Sequence, residues 1–356
     1  MVVWAIENSP EAAMDPDRNS DRYSDSDSDT EILRWTREYL SGGDHPDFRT
    51  YAGKLSSDTD LTHFIWVMNH LVKLGRMRDG RVLDIGCGFG WHAVALSMIA
   101  RAHLVCNDIR PMMTSVVTER VAAIKQQGAP VSIETITADI CELDLPAESV
   151  DSIVCNQMIE HVRDLEKMFA VGFRLLKRGR VMVITNDNNS LDVEGLVKFE
   201  EMWRKRDSDW DYINELKAER PIENKDIKPY AVMREQIVRG ADPNLGDDDV
   251  RAVVEATAGL VEPDIASVAT GYASSGQLPR PPRFSWCRNP VTGEYCERQL
   301  DPYDVVEMLR STGFAPQLRH GFRRWPLSWL NSTGIKLIDL RLFRLRPFFI
   351  LVARKP

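Results

Sequence analysis

A glycine-rich turn preceded by an acid is the part of this sequence best suited to binding a ligand. Segment 81–90 reads RVLDIGCGFG, a buried strand running into a turn, in which Asp84 stands two residues before the first of three alternate glycines: Gly86, Gly88 and Gly90. Glycine leaves room for a ligand against the backbone and tolerates the positive φ that such turns often need. A dinucleotide-binding turn more typically reads G-x-G-x-x-G without that acid, so the spacing disfavours a nicotinamide oxidoreductase. A tight turn without a ligand is the remaining alternative.

Polar side chains end the three candidate strands that follow. Asp108 ends the second strand, Asp139 follows the third and Asn156 ends the fourth. Ligands of parallel sheets bind at the carboxyl ends of the strands, so these residues are expected at one edge. Two acceptor oxygens on a fixed strand end can hold both hydroxyls of a ribose, as we predict for Asp108, although the acid could instead cap the next helix. An aspartate after a strand is also a common turn residue, which is the alternative for Asp139.

An alternation of strands and helices between Arg81 and Asn186 must position these residues. The candidate strands are Val82–Ile85, Leu104–Asn107, Val131–Thr137, Ser152–Asn156 and Val181–Thr185, separated by helical segments near Trp91–Ala100, Met113–Gln127 and Leu165–Leu176. Near-continuous apolar strands that alternate with helices predict an α/β fold whose parallel sheet is covered on both faces.

The motifs, in this order, resemble the class I S-adenosylmethionine (SAM)-dependent methyltransferases, in the small-molecule branch that includes ubiquinone-biosynthesis and sterol methyltransferases. The resemblance covers residues 80–190 clearly and 300–356 more weakly. It implies a Rossmann-like fold with a seven-stranded, mostly parallel sheet, helices on both faces, and a large, mainly helical insertion. The last strand, from residues 347–354, would be antiparallel.

The resemblance also implies that the chain binds SAM. Asp139 would contact the adenine amino group, Ile140 would pack on the ring, and Asn156 would lie by the methionine part. The implied cofactor-binding residues are Asp84, Gly86, Cys87, Gly88, Gly90, Asp108, Ile109, Asp139, Ile140 and Asn156.

His161 is the candidate catalytic residue, in the segment QMIEHV that follows the fourth strand. A neutral imidazole can take a proton from an acceptor hydroxyl as the methyl group transfers, although His161 could instead orient the loop or cap the next helix. Some related enzymes of quinone biosynthesis bind a divalent metal through acids around this Glu-His pair. Gln157, a weaker ligand than carboxylate for a hard cation, stands at the earlier position here, so we predict no metal.

Composition limits the class of protein and its partners. The 356 residues are 43% hydrophobic and 28% charged, with a formal net charge of −8, which argues against a general nucleic-acid binder. The six cysteines form no C-x-x-C pair, no apolar stretch approaches the roughly 20 residues that span a bilayer, and the N-terminus has no secretory pattern. A reduced, cytoplasmic protein is therefore expected, and its oligomeric state stays open.

The chain is expected to divide into five segments. These are a disordered acidic tail (1–30), N-terminal helices (31–80), the SAM-binding core (81–190), an insertion or lid on the acceptor side (191–300) and a C-terminal completion of the sheet (301–356). The insertion offers aromatic residues for an acceptor pocket or for ordinary packing: Trp203, Trp210, Tyr212, Tyr230, Tyr272, Phe284 and Trp286. The basic, apolar run 322–346 either contacts a membrane peripherally or packs on the protein.

The predicted function is methyl transfer from SAM to a small-molecule acceptor, most simply a hydroxyl oxygen of a natural product, sugar or lipid-like metabolite. Methylation of nitrogen or carbon is the alternative within enzymes. A non-catalytic protein with a methyltransferase fold is the alternative outside them; degraded glycines or loss of Asp108 would favour it, and the sequence has neither.

Overall fold

The computed structural model describes residues 26–55, 57–280, 287–321 and 348–356, and the chain divides into two units. The first unit comprises Met1–Ile159, Asp164–Asp187 and Asp301–Pro356, and the second comprises Glu160–Arg163 and Asn188–Leu300. Residues 1–25 of the predicted tail, segment 322–346, and Phe284 and Trp286 lie outside the described residues.

A seven-stranded sheet in the order β3-β2-β1-β4-β5-β7-β6 lies at the centre of the first unit. Its strands are β1 (Arg81–Ile85), β2 (His103–Asp108), β3 (Ser132–Thr137), β4 (Val150–Asn156), β5 (Leu176–Asn186), β6 (Ala315–Gly321) and β7 (Phe348–Arg354). Strands β1 to β5 pair in parallel, whereas β7 runs antiparallel to both β5 and β6. The predicted α/β fold, with a mostly parallel sheet and an antiparallel last strand, is confirmed.

Helices follow the strands as the apolar pattern predicts. They are α1 (Ser26–Ser41), α2 (Pro46–Ala52), α3 (Asp58–Gly75), α4 (Ala93–Ala100), α5 (Pro111–Gln126), α6 (Leu165–Leu175) and, after the second unit, α12 (Pro302–Thr312). Val82, Leu83 and Ile85 of β1 are at most 1% exposed, as expected for a strand covered on both faces. Helix α1 begins five residues before the predicted Glu31.

The second unit is mainly helical, as predicted for the insertion. Its helices are α7 (Val193–Ser208), α8 (Trp210–Glu219), α9 (Tyr230–Ala241), α10 (Asp247–Ala256) and α11 (Glu262–Ser275). A short hairpin follows, in which Arg288 forms an antiparallel bridge with Tyr295. Residues 160–163 group with this unit, although the sequence pattern assigned them to the SAM-binding core. Among the described residues, no helix is long and apolar enough to cross a membrane.

Candidate functional site

The turn after β1 is held by hydrogen bonds to the end of β2. The N–H groups of Gly86 and Cys87 both donate to the carbonyl of Asn107, at 2.8 and 2.9 Å. Asn107 Nδ2 in turn donates to the carbonyls of Ile136 and Ala138, at 3.2 and 3.0 Å. The glycine turn, Asp108 and the residues after β3 therefore meet at the same edge of the sheet, as predicted.

The three positions of the turn hold glycine for different physical reasons. All have positive φ, at +69° for Gly86, +53° for Gly88 and +66° for Gly90. A Cβ on Gly86 would lie 2.0 Å from Met158 Cγ, and one on Gly90 would lie 2.8 Å from the Tyr39 hydroxyl, so packing excludes side chains there. A Cβ on Gly88 would meet nothing nearer than 3.9 Å, which leaves open space against the backbone at this glycine.

Asp108 joins the glycine turn to the loop after β2. Its Oδ2 accepts from the Gly88 N–H and its Oδ1 accepts from the Arg110 N–H, both at 2.9 Å. The side chain is largely buried, and burial raises the pKa of Asp108 although the two backbone donors oppose the rise. Each carboxylate oxygen has a second lone pair, so both oxygens can still accept from ligand hydroxyls.

The two isoleucines of the candidate site, Ile109 and Ile140, differ in exposure. Ile109 is 50% exposed, which is unusual for a large apolar residue beside a binding edge, whereas Ile140 is only 7% exposed. Asp139 begins a short 3-10 turn, Ile140–Glu142, and its Oδ1 accepts from the Cys141 N–H at 2.8 Å. Asp139 thus has the turn role that the sequence left open, and Ile109 offers the more accessible apolar face.

Asp84 is buried within the sheet and paired with His92. The Asp84 carboxylate is 0% exposed, and its Oδ2 lies 2.9 Å from His92 Nε2. Burial alone would lower the pKa of His92, but the charge of Asp84 and their hydrogen bond raise it overall. The pair therefore fixes the start of α4 to β1, which gives the acid of the motif a supporting role that the sequence did not reveal.

Asn156 presents a buried donor at the end of β4. The Thr185 hydroxyl donates to Asn156 Oδ1 at 2.5 Å, which leaves Asn156 Nδ2 without a hydrogen-bond acceptor among the described residues. A buried amide N–H without a partner costs free energy, so an acceptor on a ligand would stabilise it. The next residue, Gln157, has φ of +53°, and its Oε1 accepts from the Asp187 N–H at 2.9 Å.

An aromatic cluster from the N-terminal helices supports the glycine turn. The fully buried Tyr39 donates from its hydroxyl to the carbonyl of Phe89 at 2.7 Å. The Phe89 ring has Phe48 and Tyr51 within 5.9 and 5.6 Å between centroids. Sequence analysis placed Tyr39 in a helix without a role, because its partner stands 50 residues further along the chain.

His161 lies in a polar cluster of the second unit. Its Nδ1 lies 3.0 Å from the Tyr295 carbonyl, which can only accept, so Nδ1 carries the proton and Nε2 is the basic nitrogen. Nε2 lies 4.0 Å from a carboxylate oxygen of Glu160 and 4.0 Å from one of Glu297. Asn188 Nδ2 donates to the other oxygen of Glu297 at 2.8 Å. Sequence reasoning missed Glu297, which carries no motif and is distant in the chain.

The arrangement can support proton transfer at His161. Two carboxylates beside Nε2 would stabilise the imidazolium that forms when this nitrogen accepts a proton. Glu160, His161 and Glu297 have ligand atoms close enough together to hold a cation as well. The prediction of no metal rested on Gln157, and it stays a prediction.

The sequence comparisons match part of the chain. Residues 83–184 match the family described as "Methyltransferase domain". A probable S-adenosylmethionine-dependent methyltransferase of Mycobacterium tuberculosis (strain CDC 1551 / Oshkosh) is 27% identical over 137 residues, covering 37% of this chain and 45% of that protein. A ubiquinone biosynthesis O-methyltransferase of Hahella chejuensis is 34% identical over 112 residues, covering 31% and 44%. The match therefore spans less than half the length of these two relatives.

Two solved structures are similar over most of this chain. The cyclase SpnF has a TM-score of 0.43 at 13% identity, covering 82% of this chain and 81% of that one. Phosphoethanolamine N-methyltransferase 2 of Haemonchus contortus, in complex with S-adenosyl-L-methionine, has a TM-score of 0.40 at 15% identity, covering 82% and 53%.

Proposed function

We propose that this chain is a class I SAM-dependent methyltransferase of the small-molecule branch. It transfers a methyl group from SAM to a hydroxyl oxygen of a small molecule. The match of residues 83–184 to the methyltransferase domain family supports this proposal. The acceptor class is a natural product, a sugar or a lipid-like metabolite. The first unit binds the cofactor and the second unit binds the acceptor.

The residues at the carboxyl edge of the sheet suit SAM. Gly88 leaves space for the cofactor against the backbone, and the Asp108 carboxylate accepts from both ribose hydroxyls. The exposed face of Ile109 packs on the adenine. Asn156 Nδ2, which has no acceptor among the described residues, donates to the methionine carboxylate. When bound, the cofactor supplies a methyl group on a sulfonium that is already activated for transfer. The protein needs only to align the acceptor and exclude water.

His161 is the residue that we propose as the base. Its Nδ1–H donates to the Tyr295 carbonyl, so Nε2 is the basic nitrogen that takes the proton of the acceptor hydroxyl. The carboxylates of Glu160 and Glu297 stabilise the resulting imidazolium. A basic nitrogen held in this way favours an oxygen acceptor, because an amine acceptor needs less help with proton removal.

The proposal also includes a reducing compartment, the cytoplasm, as the location of the protein and a small molecule as its acceptor. The six cysteines, all within the described residues, form no disulfide with one another, which suits the cytoplasm. The net charge of −8 supports a small-molecule acceptor over nucleic acid.

The observation that carries this proposal is the Asp108 carboxylate, which bridges Gly88 and Arg110 beside open space at Gly88. The test is calorimetric titration of S-adenosylhomocysteine into the wild type and Asp108→Asn. We expect micromolar binding to the wild type and at least about tenfold weaker binding to the variant, because one charge-assisted hydrogen bond is worth about 1.5–3 kcal/mol.

Asp164→Asn is the matched control, because Asp164 caps α6 through the Lys167 N–H at 2.9 Å and belongs to the same unit. It should bind S-adenosylhomocysteine as the wild type does. No binding to the wild type would contradict the proposal and leave the chain as a non-catalytic protein with this fold.

A further inference from the structure

Two buried arginines of the second unit differ in how their charge is compensated. Arg234 is 1% exposed and pairs with both carboxylate oxygens of Asp207, at 2.6 and 2.9 Å, while its Nε donates to the Val254 carbonyl at 2.9 Å. Arg206 is 9% exposed, and its Nε has no hydrogen-bond acceptor among the described residues. One guanidinium is therefore paired with a carboxylate, whereas the other has a hydrogen bond with the Tyr230 side chain and an Nε without an acceptor among the described residues.

In the part of the chain that the structure describes, the groups that act most strongly on Arg206 are neutral at neutral pH. Its guanidinium lies 5.1 Å from the centre of the Tyr230 ring, and Tyr212 and Cys296 are close enough to interact with it. Burial raises the pKa of Tyr212 to about 12 and that of Cys296 to about 11, so both stay neutral. Burial also raises the pKa of Tyr230.

Neighbouring charges in the second unit have other partners. The Glu297 carboxylate faces His161 and accepts from Asn188, and Arg220 pairs with Glu223 at 3.0 Å. A buried charge without a counter-ion is destabilising, so proteins keep one where it serves a ligand. Among the described residues Arg206 has no carboxylate partner, so an anion from outside the chain would compensate its charge.

We propose that Arg206 recognises an oxyanion, a carboxylate or a phosphate, carried by the acceptor. This inference rests on the proposed function, in which the second unit binds the acceptor. A guanidinium presents its N–H groups as a planar fork that matches such oxyanions in two parallel hydrogen bonds. Tyr212 is only half-buried and interacts with both Arg206 and Glu297, so the arginine and His161 belong to one polar cluster. The acceptor is therefore an acidic molecule that also carries a hydroxyl.

The test measures anion binding, which does not depend on methyl transfer. The probes are inorganic phosphate, 4-hydroxybenzoate and its neutral analogue 4-hydroxybenzyl alcohol, titrated calorimetrically into the full chain. We expect phosphate or 4-hydroxybenzoate to bind the wild type and the alcohol not to bind. Arg206→Met should weaken anion binding at least tenfold, and Arg206→Lys should weaken it less because the charge stays but the fork is lost.

Thermal unfolding without ligand separates this role from a structural one. Arg206→Met should have a Tm equal to or above that of the wild type, because it removes an uncompensated buried charge. The control Arg234→Met should have a lower Tm, because it leaves Asp207 without its partner. Equal anion affinity in Arg206→Met and wild type, no anion binding to the wild type, or a Tm loss in Arg206→Met as large as in Arg234→Met would each overturn the inference.

S-adenosylhomocysteine binding to Arg206→Met keeps the two proposals distinguishable. It should equal that of the wild type, because Arg206 belongs to the second unit. A wild type that binds the anion but no S-adenosylhomocysteine would contradict the proposed function, while the anion site would stand.

Discussion

The buried carboxylate of Asp108 makes cofactor binding depend on pH. Burial raises the pKa of Asp108 above its ordinary value near 3.8, so the folded protein binds this proton more tightly than the unfolded chain does. The contribution of Asp108 to the free energy of unfolding therefore falls as the pH rises from that value through the raised pKa. The affinity for the ligand changes in the opposite direction and rises with pH, because only the ionised form of Asp108 accepts from both ribose hydroxyls.

We therefore expect the affinity for S-adenosylhomocysteine to fall as the pH is lowered from neutral through the raised pKa of Asp108. An aspartate with an ordinary pKa would lose its charge only at lower pH. Calorimetry across this range measures the effect, and Asp108→Asn, which cannot titrate, is the control. A pH dependence that is the same in the variant would assign the effect to another group.

His161 is the residue whose removal should separate chemistry from cofactor binding. Once screening has identified an acceptor, His161→Gln should lower kcat by about 10²- to 10⁴-fold, the usual contribution of a general base. The affinity for S-adenosylhomocysteine should not change, because His161 belongs to the second unit. Glu297→Gln should lower kcat less, since Glu160 remains beside Nε2. Full activity of His161→Gln would contradict the role of His161 as a base and would indicate a structural role.

At the scale of elements, the turn between β1 and α4 combines backbone strain, packing and ligand space. Gly88→Ala should fold with a loss of about 1–2 kcal/mol, the cost of a left-handed conformation for alanine, because its methyl group meets no atom within 3.4 Å. That methyl group enters the space proposed for the cofactor, so S-adenosylhomocysteine should bind at least tenfold more weakly. Gly90→Ala should fail to fold stably, because its methyl group would lie 2.8 Å from the Tyr39 hydroxyl and 2.9 Å from Val117.

Gly276→Ala is the matched control for backbone strain. Gly276 has φ of +66°, and an added Cβ there meets no atom within 4 Å. Its Tm loss should be similar to that of Gly88→Ala, with cofactor affinity unchanged. If Gly88→Ala binds S-adenosylhomocysteine as tightly as this control does, the open space at Gly88 is not part of the cofactor site.

The elements of the core could be predicted because their signals are local. Strands β1, β2 and β4 and the second half of β5 are largely apolar runs, whereas β3 alternates. Asp301 and Gly313 cap α12 as their residue types indicate. Strand β6 was missed, because it is an edge strand that contains Pro316 and several polar residues. The contacts of Tyr39 with Phe89 and of His161 with Glu297 were missed because they join residues distant in the chain.

At the scale of the whole molecule, two units with separate cores predict separate responses to two ligands. The second unit has its own apolar cluster, which includes Val238, Val253 and Ile265, all 0% exposed. A ligand stabilises the structure that holds its binding residues, by about 2.7 kcal/mol at one hundred times its Kd. S-adenosylhomocysteine should therefore slow amide exchange in β1, in the glycine turn and at the end of β2.

The same ligand should leave exchange in α8 and in the hairpin at 288–295 close to its unliganded rate, whereas an oxyanion at Arg206 should protect α7 and α8 instead. Hydrogen exchange followed by mass spectrometry, with each ligand alone and with both together, measures this directly. Arg206→Met should lose only the oxyanion pattern, and Asp108→Asn only the cofactor pattern. If S-adenosylhomocysteine alone protects α7 and α8 as strongly as β1, the two units respond as one, and binding of cofactor and acceptor would then be thermodynamically coupled.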